Sequence, residues 1–173
     1  MAWQVDMAHT QAAFAIRHLG ISLIRGKMRV AEASIELDED RPESSRLTAK
    51  VDVSTLDTGD QTRDGHLKSP DFFNVEAHPY IEFETGDVTR SDEGRFTVRG
   101  NLTIRGVTRP VELQGEYSGP VDDPISGKRK VGFELETDVA QKDWGIDWNV
   151  QMPGGFMLAD RVRLTVDAQA IEV

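Results

Sequence analysis

Most of this chain alternates apolar and polar residues with a period of two, the pattern of a β-strand with one buried and one exposed face. Between residues 96 and 105 every even position carries an apolar residue or glycine, and every odd position carries Thr, Arg or Asn. Comparable segments recur near residues 13–18, 47–53, 81–85, 111–117, 131–139 and 162–170. Together with one longer segment, they predict about eight strands and very little helix.

The longer segment, from Leu23 to Leu37, changes phase along its length. Met28 and Val30 share one parity, whereas Ala33 and Ile35 share the other. A change of one residue inside a strand is typical of a β-bulge or a corner. We therefore expect one long strand with a bulge or a corner within this segment.

Short turn sequences between the strands predict antiparallel neighbours, as in Ser91–Gly94 and Asp122–Gly127. Long antiparallel strands with one apolar face are best buried by closing the sheet, which also removes its edges. We therefore predict an all-β protein, an elongated eight-stranded antiparallel barrel, with a two-sheet sandwich as the alternative. At eight strands the interior is either filled by side chains or just wide enough for one slender ligand.

One or two short helices are predicted between strands 3 and 4. Thr58 and Gln61 have the spacing of a capping box, which predicts a helix from Gly59 to about Leu67. Ser69 followed by Pro70 predicts a second helix of one turn, reaching Phe73.

Composition excludes several classes of protein. A length of 173 residues predicts a single domain, 1–173. The net charge of −10 argues against a nucleic-acid-binding protein and against membrane binding through a broad basic patch. The absence of cysteine excludes zinc–thiolate sites, iron–sulfur clusters and cysteine nucleophiles. No nucleophile elbow, phosphate loop or dinucleotide fingerprint is present, so we predict neither an enzyme nor a cofactor.

The start of the chain, Met1–Asp6, lacks a basic segment followed by an apolar run. We therefore expect a cytoplasmic protein, or a periplasmic or secreted one if the sequence is a trimmed mature form. No apolar stretch approaches the roughly 20 residues of a membrane-spanning helix.

The inward parity of the strands predicts an apolar interior with almost no hydrogen-bond donors, which suits only a hydrocarbon tail. The predicted tail-binding residues are Phe14, Ile16, Val51, Val53, Phe83, Phe96, Val98, Leu102, Val111, Leu113, Phe133, Leu135, Val162 and Leu164.

A polar head group would then stay at one mouth of the barrel. Candidate donors are His18, which points inward near a strand end, and Arg63 with His66 on the predicted helix. Alternatively, Arg63 and Asp64 form a structural pair that holds that helix in place and do not bind a ligand.

The segment 141–160 is long enough for a functional loop, and its residues Trp144 and Trp148 are predicted to cover the opening. The alternative for this loop is a hydrophobic cluster that plugs the barrel end.

A different hypothesis uses the histidines. His18, His66 and His78 would form a metal site or an enzyme at the barrel mouth if the fold brought them together. The remaining hypothesis is a structural barrel that is fully packed and binds nothing. No metal-binding motif of helical spacing is present, so we predict no metal site.

The order of the motifs resembles the YceI-like polyisoprenoid-binding family over nearly the whole chain. The motifs that carry the resemblance are Trp3–Asp6, His9–Thr10, Phe14 to Gly20, Arg63–Leu67, Asp71–Phe73, Pro79 with Phe83, Gly100–Thr108 and Asp143–Ile146. Trp144 stands where the family often has Phe, and the segment Met1–Asp6 does not show the signal-peptide pattern that many members carry.

The resemblance implies a lipocalin-like barrel with short helices, and some members bind a long isoprenoid lipid inside. We therefore expect a non-catalytic carrier for an isoprenoid or similar amphiphilic lipid. The resemblance also implies a homodimer, since some members form dimers.

Overall fold

The computed structural model describes residues 2–173 and is built almost entirely from antiparallel strands. Eight of the strands are long, and three are short. The strands are β1 (Trp3–Val5), β2 (Gln11–His18), β3 (Ser22–Glu36), β4 (Arg46–Asp57), β5 (Tyr80–Asp92), β6 (Arg95–Ile104), β7 (Val107–Asp122), β8 (Arg129–Ala140), β9 (Gln151–Met152), β10 (Gly155–Phe156) and β11 (Leu158–Glu172). The α-helix α1 spans Gln61–Lys68, and short 3-10 helices span Met7–His9, Pro42–Ser44 and Gln141–Trp144.

The eight long strands close into a ring, because β11 pairs with both β2 and β8. Leu164 of β11 lies opposite Phe14 on one side and opposite Thr137 on the other. This closure confirms the elongated eight-stranded lipocalin-like barrel and excludes the sandwich. Several strands run for 12 to 16 residues, so the barrel is long compared with its width.

The predicted phase change in β3 is confirmed as a bulge. Val30 pairs with Val51, and Glu32 pairs with Lys50, so Ala31 has no residue of its own opposite it on β4. Met28 and Val30 on one side of the bulge, and residues 33 and 35 on the other, all line the barrel interior.

The connections between strands gather at two ends of the barrel. One end, here called the helix end, carries residues 19–21, 58–79, 105–106 and 141–157. The opposite end, here called the acidic end, carries residues 37–45, 93–94 and 123–128. These three connections of the acidic end contain six acidic and two basic residues.

The helix α1 follows β4, as predicted, but it begins two residues later than expected. Its N-cap is Asp60, whose carboxylate accepts a hydrogen bond of 2.9 Å from the backbone N–H of Arg63. The expected cap, Thr58, instead donates its hydroxyl hydrogen to Asp64 at 2.5 Å. Asp60 directly precedes the first helical residue, Gln61, so its carboxylate reaches an N–H of the first turn that has no partner within the helix.

The second predicted helix, Ser69–Phe73, is wrong: these residues form consecutive turns. The N–H of Phe73 donates back to the carbonyl of Leu67, and Asn74 adopts a left-handed φ of 50°. The chain therefore folds under α1 instead of continuing as a helix, and Phe72 becomes buried.

Three aromatic rings lie against glycines of neighbouring strands inside the barrel. A Cβ atom added at Gly26 would overlap the ring of Phe14, and one added at Gly115 would overlap the ring of Phe96. Phe83 covers Gly100 in the same way. Because glycine has no side chain, these three positions leave room for the rings, which would otherwise project across the barrel interior.

Among residues 2–173, no helix is both long and apolar enough to span a lipid bilayer.

Candidate functional site: two apolar cavities inside the barrel

The barrel interior contains a cavity of about 420 Å³ that extends toward the acidic end. Residues from all eight long strands line it, because each strand turns alternate side chains inward. Nine of the fourteen predicted tail residues lie on its wall. They are Val51, Phe83, Phe96, Val98, Leu102, Leu113, Phe133, Leu135 and Leu164.

The middle of this wall offers a ligand almost no hydrogen-bonding groups. Two buried hydroxyls of the wall are both used within the protein. The hydroxyl of Thr85 accepts from the N–H of Leu47 at 2.7 Å and donates to the carbonyl of Leu47, and the hydroxyl of Thr10 donates to the carbonyl of Asp6 at 2.7 Å. No buried side-chain polar atom lacks a partner among residues 2–173. A polar molecule would have to leave its own groups unpaired here, whereas a hydrocarbon would lose nothing.

Sequence reasoning missed part of the lining of this cavity. Met28, Val30, Ala33, Ile35 and Ala49 also line it. Ala49 shares the inward parity of Val51 on β4. The other four residues lie on β3, where the bulge allows both halves of the strand to face inward.

Charged side chains line the first cavity only at the acidic end. Arg46, Arg90 and Arg95 stand there together with Asp38 and Glu39. The guanidinium of Arg46 donates to the backbone carbonyl of Ser45 at 2.8 Å. All three arginines lie at or near strand ends at this end of the barrel, where the alternation of apolar and polar residues did not identify them as lining residues.

A second cavity, of about 500 Å³, lies at the helix end. All five predicted mouth residues line it, namely His18, Arg63, His66, Trp144 and Trp148. The predicted tail residues Phe14, Ile16, Val162 and Leu164 line it as well. Leu164 is shared by both cavities. These two open volumes contradict the hypothesis of a fully packed barrel.

Arg63 is held on the wall of the second cavity by Thr58, which lies three residues before the helix begins. Its Nε donates to the hydroxyl of Thr58 at 2.7 Å, and its Nη2 donates to the carbonyl of Thr58 at 2.8 Å. Asp64 also binds Thr58, so the Arg63–Asp64 pair is joined through this threonine and not by a direct ion pair. The charge of Arg63 is therefore fixed in position beside the cavity.

His66 belongs to an aromatic cluster at the same mouth. Its ring packs edge-on against Trp148, with 4.6 Å between centroids, and against Phe72, with 5.0 Å. The Nε2 of His66 lies 2.9 Å from a carboxylate oxygen of Asp71. Trp148 lies beside this mouth and is only half-buried, and its role in covering the opening stays a prediction.

Trp144 lies deeper than predicted. Its side chain is part of the main core and the residue is only 3% exposed, so it closes the bore from inside instead of covering an opening. Ile146, two residues later, is also buried in this core. The segment 141–157 therefore combines both interpretations, because one part plugs the barrel while Trp148 borders the mouth.

Two predicted tail residues line neither cavity. Val53 is 1% exposed and packs in the core, and Val111 packs against that core from β7. Both face inward, as their parity requires, but they lie where core side chains fill the interior. The apolar interior is therefore two chambers with a packed level between them.

The three histidines of the metal hypothesis are not brought together. His18 and His66 line the second cavity, whereas His78 packs beside Gly106 at the turn between β6 and β7. In the part of the chain that the structure describes, no group of three His, Asp or Glu side chains has a geometry that could hold a metal ion.

Comparisons with known proteins agree with this architecture. A family model described as the YceI-like domain matches residues 3–170. A UPF0312 protein from Azotobacter vinelandii is 36% identical over 138 residues, which cover 80% of this chain and 71% of that relative.

Solved structures also share the fold. BcnA from Burkholderia cenocepacia aligns with a TM-score of 0.83 at 16% identity, covering 96% of this chain and 99% of that one. A polyisoprenoid binding domain from Saccharophagus degradans aligns with a TM-score of 0.71 at 11% identity, covering 100% of this chain and 99% of that one.

Proposed function

This chain belongs to the YceI family, and from that premise we propose that it is a non-catalytic carrier of a long-chain isoprenoid or a similar amphiphilic lipid. The observation that carries the proposal is the 420 Å³ cavity, whose wall is apolar along its middle and lies inside a closed barrel. Such cavities bind by the apolar area they remove from water, with a few polar groups to orient the ligand.

The likeness to a polyisoprenoid binding domain supports the chemical class of the ligand. An isoprenoid tail is a branched hydrocarbon without polar atoms, which matches a wall that offers none. Each buried CH₂ group contributes about 0.8 kcal/mol, so several isoprene units give tight binding without any hydrogen bond.

We place the head group at the helix end, beside His18, Arg63 and His66. Arg63 is the fixed cation of this mouth, and His66 carries a carboxylate partner in Asp71. In a protein of net charge −10, a local cation is needed to offset long-range repulsion of an anionic head. The tail would then pass the level of Trp144 to reach the first cavity, which requires that side chain to move.

The test is a solvent extract of the purified protein, analysed by mass spectrometry, followed by titration of delipidated protein with a fluorescent isoprenoid phosphate. We expect a lipid with a long hydrocarbon chain in the extract and saturable binding at one lipid per chain. An extract free of lipid together with no saturable binding contradicts the proposal. A homodimer stays a prediction, which sedimentation at micromolar concentration checks.

A further inference from the structure

The first cavity has its own opening, at the acidic end of the barrel. Residues of the connection 37–45 line it there, and the exposed residues Arg90 and Pro120 form its edge, so the cavity reaches solvent at this end. Toward the helix end, buried Val53 and Trp144 fill the interior. A ligand that enters the first cavity from the acidic end therefore needs no movement of Trp144.

One arginine of this opening faces the barrel interior because of a second bulge, in β5. Gly86 has no partner of its own on β6, since the register shifts between Thr85 and Asp87. The alternation of faces shifts by one residue there, so Val88 and Arg90 both line the first cavity. Without this bulge Arg90 would lie on the outer wall.

The guanidinium of Arg90 is free to bind a ligand. On the outer wall of β6, Arg99 lies 3.1 Å from a carboxylate oxygen of Glu112, whereas within residues 2–173 no carboxylate forms an ion pair with Arg90. Phe96 pairs with Arg90 across β5 and β6, but its ring lies against Gly115 on β7, at the other side of β6. The space inside Arg90 is therefore left open.

The two carboxylates that line the same opening already have partners. Asp38 accepts two backbone N–H groups and lies 3.3 Å from the guanidinium of Arg41. Glu39 lies 3.1 Å from the guanidinium of Arg129. Unpaired positive charge therefore remains at the opening, although the connections of this end contain more acidic than basic residues.

Tyr117 supplies a neutral hydrogen-bond donor at this opening. Its side chain lines the first cavity, and its N–H donates to the carbonyl of Gly94 at 2.7 Å. Burial, together with the nearby charge of Glu39, raises the pKa of the Tyr117 phenol above its ordinary value of 10.0. The phenol therefore keeps its hydrogen near neutral pH and can donate it to an anion.

We propose that the first cavity also binds a single-chain carboxylate amphiphile of the fatty-acid class, with its chain inside the barrel and its carboxylate beside Arg90 and Tyr117. The planar guanidinium of arginine matches a carboxylate and forms strong, charge-assisted hydrogen bonds with it. The acidic surroundings favour a head with a single negative charge, because they repel a phosphate with nearly two charges more strongly. This inference rests on the proposed use of the cavity for a hydrocarbon chain, and it adds a second class of ligand and a second mouth.

The test is titration of delipidated protein with cis-parinaric acid, a fluorescent fatty acid that contains no isoprene unit. Arg90→Gln removes the cation that we place beside the carboxylate. Arg25→Gln is the matched control, because Arg25 is exposed on β3 and lines neither cavity. We expect the native protein and Arg25→Gln to bind the acid equally, and Arg90→Gln to bind it about tenfold more weakly.

The methyl ester of the same fatty acid separates the head from the chain. The ester has no charge for a guanidinium to pair with, so we expect the native protein and Arg90→Gln to bind it alike. An equal loss for the acid and the ester assigns Arg90 a structural role and overturns the proposal.

Fluorescence quenching measures the direction in which the fatty acid lies. The double variant Trp144→Phe with Trp148→Phe leaves Trp3 as the only tryptophan, and Trp3 belongs to the cluster against which Tyr117 and Phe133 pack. A stearic acid with a nitroxide near its carboxylate should quench this tryptophan more strongly than one with a nitroxide near its methyl end. The reverse order places the carboxylate toward the helix end and overturns the proposal.

The isoprenoid titration keeps this inference separate from the proposed function. Protein that binds an isoprenoid phosphate but not parinaric acid supports the proposed function and overturns only the fatty-acid site. Protein that binds neither ligand contradicts both. An Arg90→Gln variant that binds parinaric acid like the native protein also overturns the fatty-acid site.

Discussion

The indole nitrogen of Trp144 donates a hydrogen bond of 3.1 Å to the backbone carbonyl of Leu102, which lies 42 residues earlier in the chain. Leu102 lines the first cavity and Trp144 lines the second. This bond therefore ties the segment after β8 to the barrel wall at the level that separates the two chambers. Arg109 adds a second tie, since its Nε donates to the carbonyl of Asp143 at 3.0 Å.

Two substitutions of Trp144 are expected to lower the unfolding free energy by different amounts. Trp144→Phe keeps an aromatic ring but loses the donor, which costs about 1–2 kcal/mol. Trp144→Ala also leaves a large void and costs about 3–5 kcal/mol in unfolding free energy. Urea denaturation followed by circular dichroism measures both values. Equal stability of Trp144→Phe and the native protein would show that the hydrogen bond contributes nothing.

A charge inside the first cavity is expected to abolish lipid retention. Leu102→Arg places a guanidinium on an apolar wall, where it either stays unpaired or fills the space that the tail needs. Asn101→Arg is the control, because the neighbouring side chain points outward and is exposed. Mass spectrometry of solvent extracts compares the two variants, and circular dichroism verifies that both barrels are folded. If folded Leu102→Arg retains lipid, the first cavity is not the binding site of the lipid tail.

If Leu102→Arg does not fold, Ala33→Phe gives the same information. Ala33 lines the first cavity with a small side chain, so a ring at this position occupies open space. We expect this variant to fold and to bind an isoprenoid phosphate at least about tenfold more weakly, since the ring excludes part of the tail.

Removing the cation at the helix end is expected to discriminate between ligands. Arg63→Ala should weaken binding of an isoprenoid phosphate by about tenfold while leaving a bare hydrocarbon such as squalene nearly unaffected. Thr58→Val is the matched control, because it removes the hydroxyl that holds Arg63 and keeps the charge. Fluorescence titration measures both ligands, and an equal loss for both assigns Arg63 a structural role only.

The contact between Phe14 and Gly26 predicts a steric effect in the barrel wall. Gly26→Ala introduces a Cβ that overlaps the ring of Phe14, so we expect a loss of about 1–3 kcal/mol in unfolding free energy. Gly132→Ala is the control, because the nearest atom to its added Cβ lies 3.9 Å away. Adding Phe14→Leu to Gly26→Ala should recover part of the loss, and full additivity of the two changes would contradict the contact.

The hairpin between β7 and β8 predicts a dependence of stability on pH. The side-chain hydrogen bond from Lys130, 2.8 Å long, holds the pKa of Asp123 well below its ordinary value of 3.8, and the N–H of Ile125 and the hydroxyl of Ser126 add to this. Because the folded-state pKa is lowered, the ionised carboxylate stabilises the fold fully above the ordinary value. This stability is lost as pH falls from there through the folded-state pKa.

We therefore expect Asp123→Asn to lower the unfolding midpoint at pH 7, and its difference from the native protein to narrow steadily as pH falls below 3.8. Asp122→Asn removes the same charge from the adjacent exposed residue and serves as control. Thermal denaturation across this pH range measures the difference, and a gap between Asp123→Asn and native protein that does not narrow on acidification contradicts the prediction.

The strands and their inward faces could be predicted because a period of two reports directly which side of a sheet is buried. His18 lines the second cavity for the same reason, because it shares the parity of Phe14. The other four mouth residues line this cavity because their segments are connections at the same end of the barrel. The cap of α1 could not be predicted, because Thr58 and Asp60 are both good caps and the choice depends on where Asp64 and Arg63 lie in the fold.

The division of the interior into two chambers could not be predicted either. It depends on Trp144 folding back onto a carbonyl of β6, and no local pattern specifies that contact. The three arginines at the acidic end were not predicted to line the first cavity. Strand parity shows which side chains line the wall of a barrel, but it does not show which side chains border its open end.

The bulge at Ala31 has a consequence for how this sequence can change over time. Every residue of β3 beyond the bulge keeps its side of the wall because Ala31 is left without a partner: if Ala31 paired with Lys50 instead, Glu32, Ser34 and Glu36 would turn toward the first cavity and Ala33 and Ile35 toward water. Substitutions can accumulate in this strand one at a time. Loss of Ala31 would remove the bulge and leave the other inward side chains inward, because Val30 would then be followed directly by Glu32 opposite Lys50 and Ala33 opposite Ala49. Descendants of this barrel are therefore expected to tolerate a deletion at the bulge, whereas a one-residue change elsewhere in β3 needs a second irregularity to keep both faces in place.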